Sequence, residues 1–122
     1  MMTYDSVVVV NSRIANGVTY TVAKVSFERR LELMRKIRDL ARRLEYLEAG
    51  KEAGDRMDAA VLRAEIDRTY IIWGLQGVSG LEVDGEPATP EALAARGPEE
   101  LFREALSAVH AQTGLTSAER KN

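Results

Sequence analysis

The sequence lacks most of the residue types on which catalytic and metal centres depend. It contains no cysteine, which excludes disulfides, cysteine-ligated zinc and thiol catalysis. Its one histidine, His110, is too few for a histidine-rich metal site. No purely apolar run exceeds four residues, as in Val7–Val10, whereas a membrane-spanning helix needs about 20. We therefore expect no cofactor, no metal and no membrane partner.

The charges are nearly balanced but unevenly distributed. Seventeen Lys and Arg against nineteen Asp and Glu give a formal net charge of −2, so bulk attraction to nucleic acid is not expected. Residues 81–122 hold eight acids and four bases, whereas residues 1–80 hold eleven acids and thirteen bases. Oppositely charged halves suit self-association into a homo-oligomer or a charged partner, and docking within the chain explains them equally well.

The first half of the chain passes from strand to helix. Residues 6–10 and 18–25 are β-branched runs around Asn16-Gly17, which predicts an N-terminal β-hairpin over 1–25. From Ser26, a candidate N-cap, the apolar period becomes helical. The core-facing stripe of the first helix is predicted to comprise Leu33, Ile37, Leu40, Leu44 and Leu47, widened by Phe27, Leu31, Met34 and Ala41.

The glycine-containing turn at 50–54 predicts an antiparallel helical hairpin with helices over 27–48 and 56–73. Residues 75–88 are interpreted as a Gly-rich turn segment, residues 89–114 as C-terminal helices and residues 115–122 as a flexible tail. The predicted fold class is therefore mainly α (α+β), in one domain over residues 1–122, with the helical hairpin spanning 26–74.

Two groups of side chains are candidates for protein binding. Tyr70, Ile71, Ile72 and Trp73 surround one helical turn with bulky apolar groups, so that this turn is either core or a partner surface that continues to Leu75. On the first helix, Arg35, Arg38 and Arg42 share one flank. That flank is a solvated face, a protein-binding face or, since acids are interleaved with its bases, a weaker candidate for nucleic acid.

No arrangement of residues predicts catalysis. Ser107 and His110 have no visible third partner and no elbow motif. Gly74, Gly77 and Gly80 are not followed by the Lys-Ser or Lys-Thr of a phosphate loop. We expect the protein not to be an enzyme.

The C-terminal half of the sequence resembles a family of small phage proteins. The similar segments are Trp73–Leu75, Val83–Glu91, Gly97–Leu101 and Leu115–Asn122. As an ordered set they resemble the tail assembly chaperones of long-tailed, siphovirus-like phages and prophages.

This resemblance implies a non-enzymatic role in the cytoplasm of a bacterial host. Such chaperones coat the long helical tape-measure protein and help to recruit tail-tube subunits. Many are also made in a longer frameshifted form, and a chain that ends shortly after Lys121-Asn122 would fit the short form. On the resemblance, Tyr70, Trp73 and Leu75 would support or form the client surface, and Arg35, Arg38 and Arg42 would tune affinity. Two alternatives stay open: a phage-encoded inhibitor or regulator of a host protein, and a nucleic-acid-binding module using the Arg-rich first helix.

Overall fold

Helices dominate the secondary structure. A computed structural model describes residues 1–114, and its four helices hold 58% of them. In chain order the elements are β1 (Val7–Asn11), β2 (Thr19–Ala23), α1 (Phe27–Glu48), α2 (Ala53–Gly74), β3 (Leu75–Ser79), β4 (Glu82–Val83), β5 (Glu86–Pro87), α3 (Pro90–Arg96) and α4 (Glu99–Thr113). The predicted mainly-α, α+β class is confirmed, with its N-terminal β-hairpin, antiparallel helix pair and C-terminal helices. The predicted tail at 115–122 lies outside the described residues.

The long helices form where the apolar period changes. The Ser26 hydroxyl accepts a hydrogen bond from the backbone N–H of Arg29 at 3.2 Å, and this N-cap starts α1. The short connection after Glu48 returns the chain into α2, which begins three residues before the predicted start at 56. Arg63 of α2 pairs with Glu48 of α1 at 3.0 Å, so the paired helices are also linked at this end.

The Gly-rich segment contains a strand that the sequence analysis missed. Residues 75–79 form β3, which pairs antiparallel with β2, so the N-terminal hairpin is two strands of a three-stranded sheet in the order β1-β2-β3. The interpretation of 75–88 as turn alone was therefore wrong. Its basis was the helix-exit character of Gly74 and Gly77, but Gly77 lies within the strand opposite Thr21. A strand of five residues gains its stability from its neighbour and leaves little periodicity of its own.

The described residues divide into two compact units. The sheet unit comprises Met1–Val25 and Tyr70–Gly114, and the helical unit comprises Ser26–Thr69. Helix α2 contributes residues to both. The prediction of one domain over residues 1–122 stays a prediction.

The sheet unit buries β2 against α4. Val18, Tyr20 and Val22 of this chain segment are buried, as the period-two pattern predicts, and α4 contacts β2. The end of α2 also approaches α4 closely, since a Cβ placed on Gly74 would lie 2.5 Å from Cγ1 of Val109. β4 and β5 are joined by a two-residue turn in which Asp84 and Gly85 both have positive φ, as a tight hairpin of type I′ requires.

Candidate protein-binding surfaces

The three predicted binding residues around the end of α2 lie in the core of the sheet unit. Tyr70, Trp73 and Leu75 are all buried, with Trp73 7% exposed. The Tyr70 ring meets the His110 ring edge-on, with 4.5 Å between the ring centroids. Burial favours the core interpretation of this turn, because a client cannot reach these side chains while the unit stays closed. The role of these three residues in client binding stays a prediction. As buried side chains they would support a client surface from inside the sheet unit.

The predicted arginines lie on the exposed side of α1. Arg35, Arg38 and Arg42 are all exposed, and Arg38 is 3.6 Å from the carboxylate of Asp39. Their spacings of three and four residues put them along one side of the helix. The structure thus brings these three together on one face, separate in sequence from Tyr70, Trp73 and Leu75.

Apolar side chains continue the same face toward the start of α1. Phe27, Leu31 and Met34 are 79%, 36% and 41% exposed. The expectation that they widen the buried stripe is wrong, whereas Ala41 is buried as predicted. At about 100° per residue, Met34, Phe27 and Leu31 lie about 100°, 120° and 160° around the helix from Leu33, so they leave the narrow stripe that the helical unit buries. We call the set of Phe27, Leu31, Met34, Arg35, Arg38 and Arg42 the outer α1 face.

A groove lies between the two helices of the helical unit. Its volume is about 580 Å³, and its lining residues are Arg42, Arg43, Tyr46, Leu47, Asp58, Val61, Leu62 and Glu65. Both basic residues come from α1 and both acidic residues from α2, and each helix also contributes two apolar or aromatic groups to the lining. We call this feature the hairpin groove.

The two charged walls of the hairpin groove are not joined by a close ion pair among the described residues. Among the described residues, no ion pair within 4 Å joins Arg42 or Arg43 to Asp58 or Glu65. Tyr46 is 80% exposed and Val61 55% exposed, although both lie beside this depression. The groove therefore combines exposed apolar surface with one basic and one acidic wall.

The groove residues were not predicted as a site from the sequence. Tyr46 and Val61 lie outside the buried stripes of their helices, and an exposed aromatic beside two arginines is the one local signal that points to them. The pairing of the basic wall with the acidic wall arises only when the two helices are placed side by side.

A carboxylate in the sheet unit binds the β1–β2 loop. Glu104 of α4 accepts hydrogen bonds from the Ser12 hydroxyl at 2.5 Å and the Tyr20 hydroxyl at 2.7 Å. It also accepts one from the backbone N–H of Arg13 at 2.8 Å. The Ser12 hydroxyl in turn accepts from the backbone N–H of Ala15 at 2.9 Å. This cluster fixes the loop to α4 and has its donors and acceptors matched, which is typical of a structural network.

The cluster shifts the pKa values of its two acidic members in opposite directions. Burial, then the hydrogen bond to Glu104, raises the pKa of Tyr20 to about 12. Burial alone would raise the pKa of Glu104, but the hydrogen bonds from Ser12, Arg13 and Tyr20 outweigh it and lower that pKa below 4.5. At neutral pH the carboxylate is therefore ionised and the phenol is protonated, as the geometry requires.

Within residues 1–114, no three His, Cys, Asp or Glu residues come together in a way that could hold a metal ion. None of the described helices is both long enough and apolar enough to cross a bilayer. No protein-family model, curated protein or solved structure matches the chain.

Proposed function

We propose that this protein is a non-enzymatic phage tail assembly chaperone, which binds the tape-measure protein and helps to recruit tail-tube subunits in the bacterial cytoplasm. The resemblance of its C-terminal half to that family supports the proposal. The structural observation that carries it is the outer α1 face, a long exposed helical surface with three apolar and three arginine side chains.

The chemistry of this face fits an amphipathic client helix with an acidic flank. Phe27, Leu31 and Met34 would cover apolar positions of the client that otherwise promote aggregation, at about 25 cal/mol per Å² of apolar area removed from water. Arg35 and Arg38 would pair with carboxylates along that flank, since guanidinium groups bind carboxylates in a fixed, bidentate geometry. The tape-measure client that the resemblance implies is long and helical, so an exposed helical surface is a suitable partner for it.

Co-expression with the tape-measure protein of the same phage tests the proposal. The wild-type chain should keep the tape-measure protein in the soluble fraction and co-purify with it. Two double variants should each reduce this co-purification by about tenfold or more. One is Arg35→Glu with Arg38→Glu, and the other is Phe27→Ser with Leu31→Ser. Arg42 stays unchanged in both variants because it also lines the hairpin groove.

A matched control separates loss of the face from a general charge effect. Arg30→Glu with Arg56→Glu reverses the same number of exposed positive charges outside both surfaces, and it should leave client binding unchanged. Failure of the wild type to bind the tape-measure protein would end the chaperone assignment. Full co-purification by both face variants would instead end the role of the outer α1 face.

The two other functions give different results with the same purified protein. Specific capture of a host enzyme from infected cells, without tail proteins, would favour a host-directed inhibitor or regulator. Binding to duplex or single-stranded DNA that weakens steeply between two salt concentrations, and that is lost in the Arg35→Glu, Arg38→Glu variant, would favour nucleic-acid binding.

A further inference from the structure

The hairpin groove matches a second copy of itself. We propose that two copies of this chain associate through their hairpin grooves, α1 of each copy lying against α2 of the other, to form a closed four-helix dimer. The proposal rests on the helical unit alone and does not depend on which client, if any, the outer α1 face binds.

The charge distribution selects this occupant. Arg42 and Arg43 form a wall on α1, and Asp58 and Glu65 form a wall on α2, without an ion pair between them within one chain. A two-fold axis parallel to the helices places the basic wall of each copy over the acidic wall of the other. Both cross-chain contacts are then attractive, as a self-complementary two-fold interface requires.

The apolar side chains give the contact its affinity. Tyr46 and Val61 are 80% and 55% exposed in one chain, and face-to-face association would bury them above Leu47 and Leu62 of the groove floor. Tyrosine is enriched at binding hot spots. The exposed charges add orientation and register more than affinity.

The size of the surface sets the expected strength of the dimer. Helices of about 20 residues are about 30 Å long and 10 Å wide, so the whole face of the helical pair, of which the hairpin groove is one part, offers about 600 Å² per copy. Twice that area is at the lower end of stable protein interfaces, which begin at about 1,200 Å². We therefore expect a reversible dimer with a dissociation constant near the micromolar range and weaker association at high salt.

Sedimentation equilibrium on the purified full-length protein, with charge-reversal variants, tests the proposal. Arg42→Glu with Arg43→Glu makes both walls acidic, and Asp58→Arg with Glu65→Arg makes both walls basic. Each variant alone should be monomeric where the wild type is dimeric. An equimolar mixture of the two should dimerise again, because both cross-chain contacts then join opposite charges.

Two further variants keep the test independent of folding effects. The chain with all four reversals should form a homodimer, since it restores opposite walls with exchanged signs. Tyr46→Ser should weaken dimerisation by about tenfold or more while far-UV circular dichroism stays unchanged. The control Arg30→Glu with Arg56→Glu changes the net charge equally outside the groove and should dimerise like the wild type.

Three results would overturn the proposal. The first is a wild-type protein that stays monomeric at about 1 mM, where a micromolar dimer is saturated. The others are a mixture of the two wall variants that stays monomeric, and association of the wild type into open-ended polymers. None of them bears on client binding, which is measured with the tape-measure protein present.

Discussion

At the scale of single residues, Glu104 links elements that are far apart in sequence. Its carboxylate joins α4 to Ser12, Arg13 and Tyr20, across separations of 84 to 92 residues. Hydrogen bonds to a charged acceptor are worth more than neutral ones, and a donor left buried without an acceptor costs further free energy. The stability of the sheet unit should therefore depend on this one side chain.

We expect Glu104→Ala to lower the free energy of unfolding by about 2 kcal/mol or more, because three donors lose their acceptor. Glu104→Gln keeps one acceptor oxygen and should cost less. Urea denaturation of the three proteins at pH 7 measures the difference. Equal stability of Glu104→Ala and wild type would show that water replaces the carboxylate without loss.

The same carboxylate predicts a loss of stability in acid. Because the pKa of Glu104 is lower in the folded protein than its ordinary 4.5, its ionised form stabilises the fold at pH values above 4.5. That contribution should disappear as the pH falls below 4.5. The difference in unfolding free energy between wild type and Glu104→Gln should therefore shrink from pH 6 toward about pH 3. A constant difference over this range would contradict the shift.

Tyr20 predicts the corresponding loss in alkali. Its pKa of about 12 in the folded chain exceeds the ordinary 10.0, so its contribution is complete below pH 10 and is lost between pH 10 and 12. Tyr20→Phe removes this titration. We expect the stability advantage of wild type over Tyr20→Phe to fall across that interval, measured by urea denaturation at several pH values. An advantage that persists at pH 12 would show that the phenol ionises normally.

A substitution of Trp73 distinguishes a core position of this side chain from an interface position. Because its side chain is buried in the sheet unit, Trp73→Ala should lower the free energy of unfolding by about 3–5 kcal/mol. Thermal unfolding followed by circular dichroism gives this value. A nearly unchanged melting temperature together with lost client binding would instead place Trp73 at an interface.

At the scale of secondary-structure elements, the junction of α2 and β3 depends on a glycine. A Cβ on Gly74 would come within 2.5 Å of Val109 Cγ1, so a larger residue forces α2 and α4 apart or changes the valine rotamer. The helix exit is thus shaped by packing against α4 and not only by the conformational freedom of glycine.

Gly74→Ala should therefore lower the free energy of unfolding by about 1–3 kcal/mol, although alanine has the higher helix propensity. Combining it with Val109→Ala should cost less than the sum of the two single changes, since the smaller side chain leaves room for the new methyl group. Urea denaturation of all four members of this cycle measures the coupling. Additive effects would show that the two positions do not collide.

The first long helix shows which structural features the apolar periodicity of the sequence predicts and which it does not. The predicted 27–48 segment coincides with α1, and its buried residues Leu33, Ile37 and Leu44 follow the predicted stripe. Periodicity could not set the width of that stripe, because this depends on how much of the helix its neighbours cover. Phe27, Leu31 and Met34 therefore remain exposed and form part of the proposed client surface.

At the scale of the whole molecule, the amino-acid sequence alone determined the fold class and the order of the N-terminal hairpin, the two long helices and the C-terminal helices. The change from period two to period 3.6 at Ser26 and the glycine-containing turn predicted at 50–54 are local signals, and the predicted long helices follow them, with α2 starting at Ala53 inside that turn. Composition likewise excludes cysteine chemistry, because the chain contains no cysteine.

Only the tertiary structure decided which side chains come together. β3 exists because β2 offers it a partner, and the Glu104 cluster and the hairpin groove each combine residues from separate elements. The apolar character of Tyr70 and Trp73 fits both a core turn and a partner surface. Only the packing of the sheet unit decides that they are buried. Local propensity acts over a few residues, whereas burial, pairing and charge complementarity depend on distances in space, and these follow only from the folded chain.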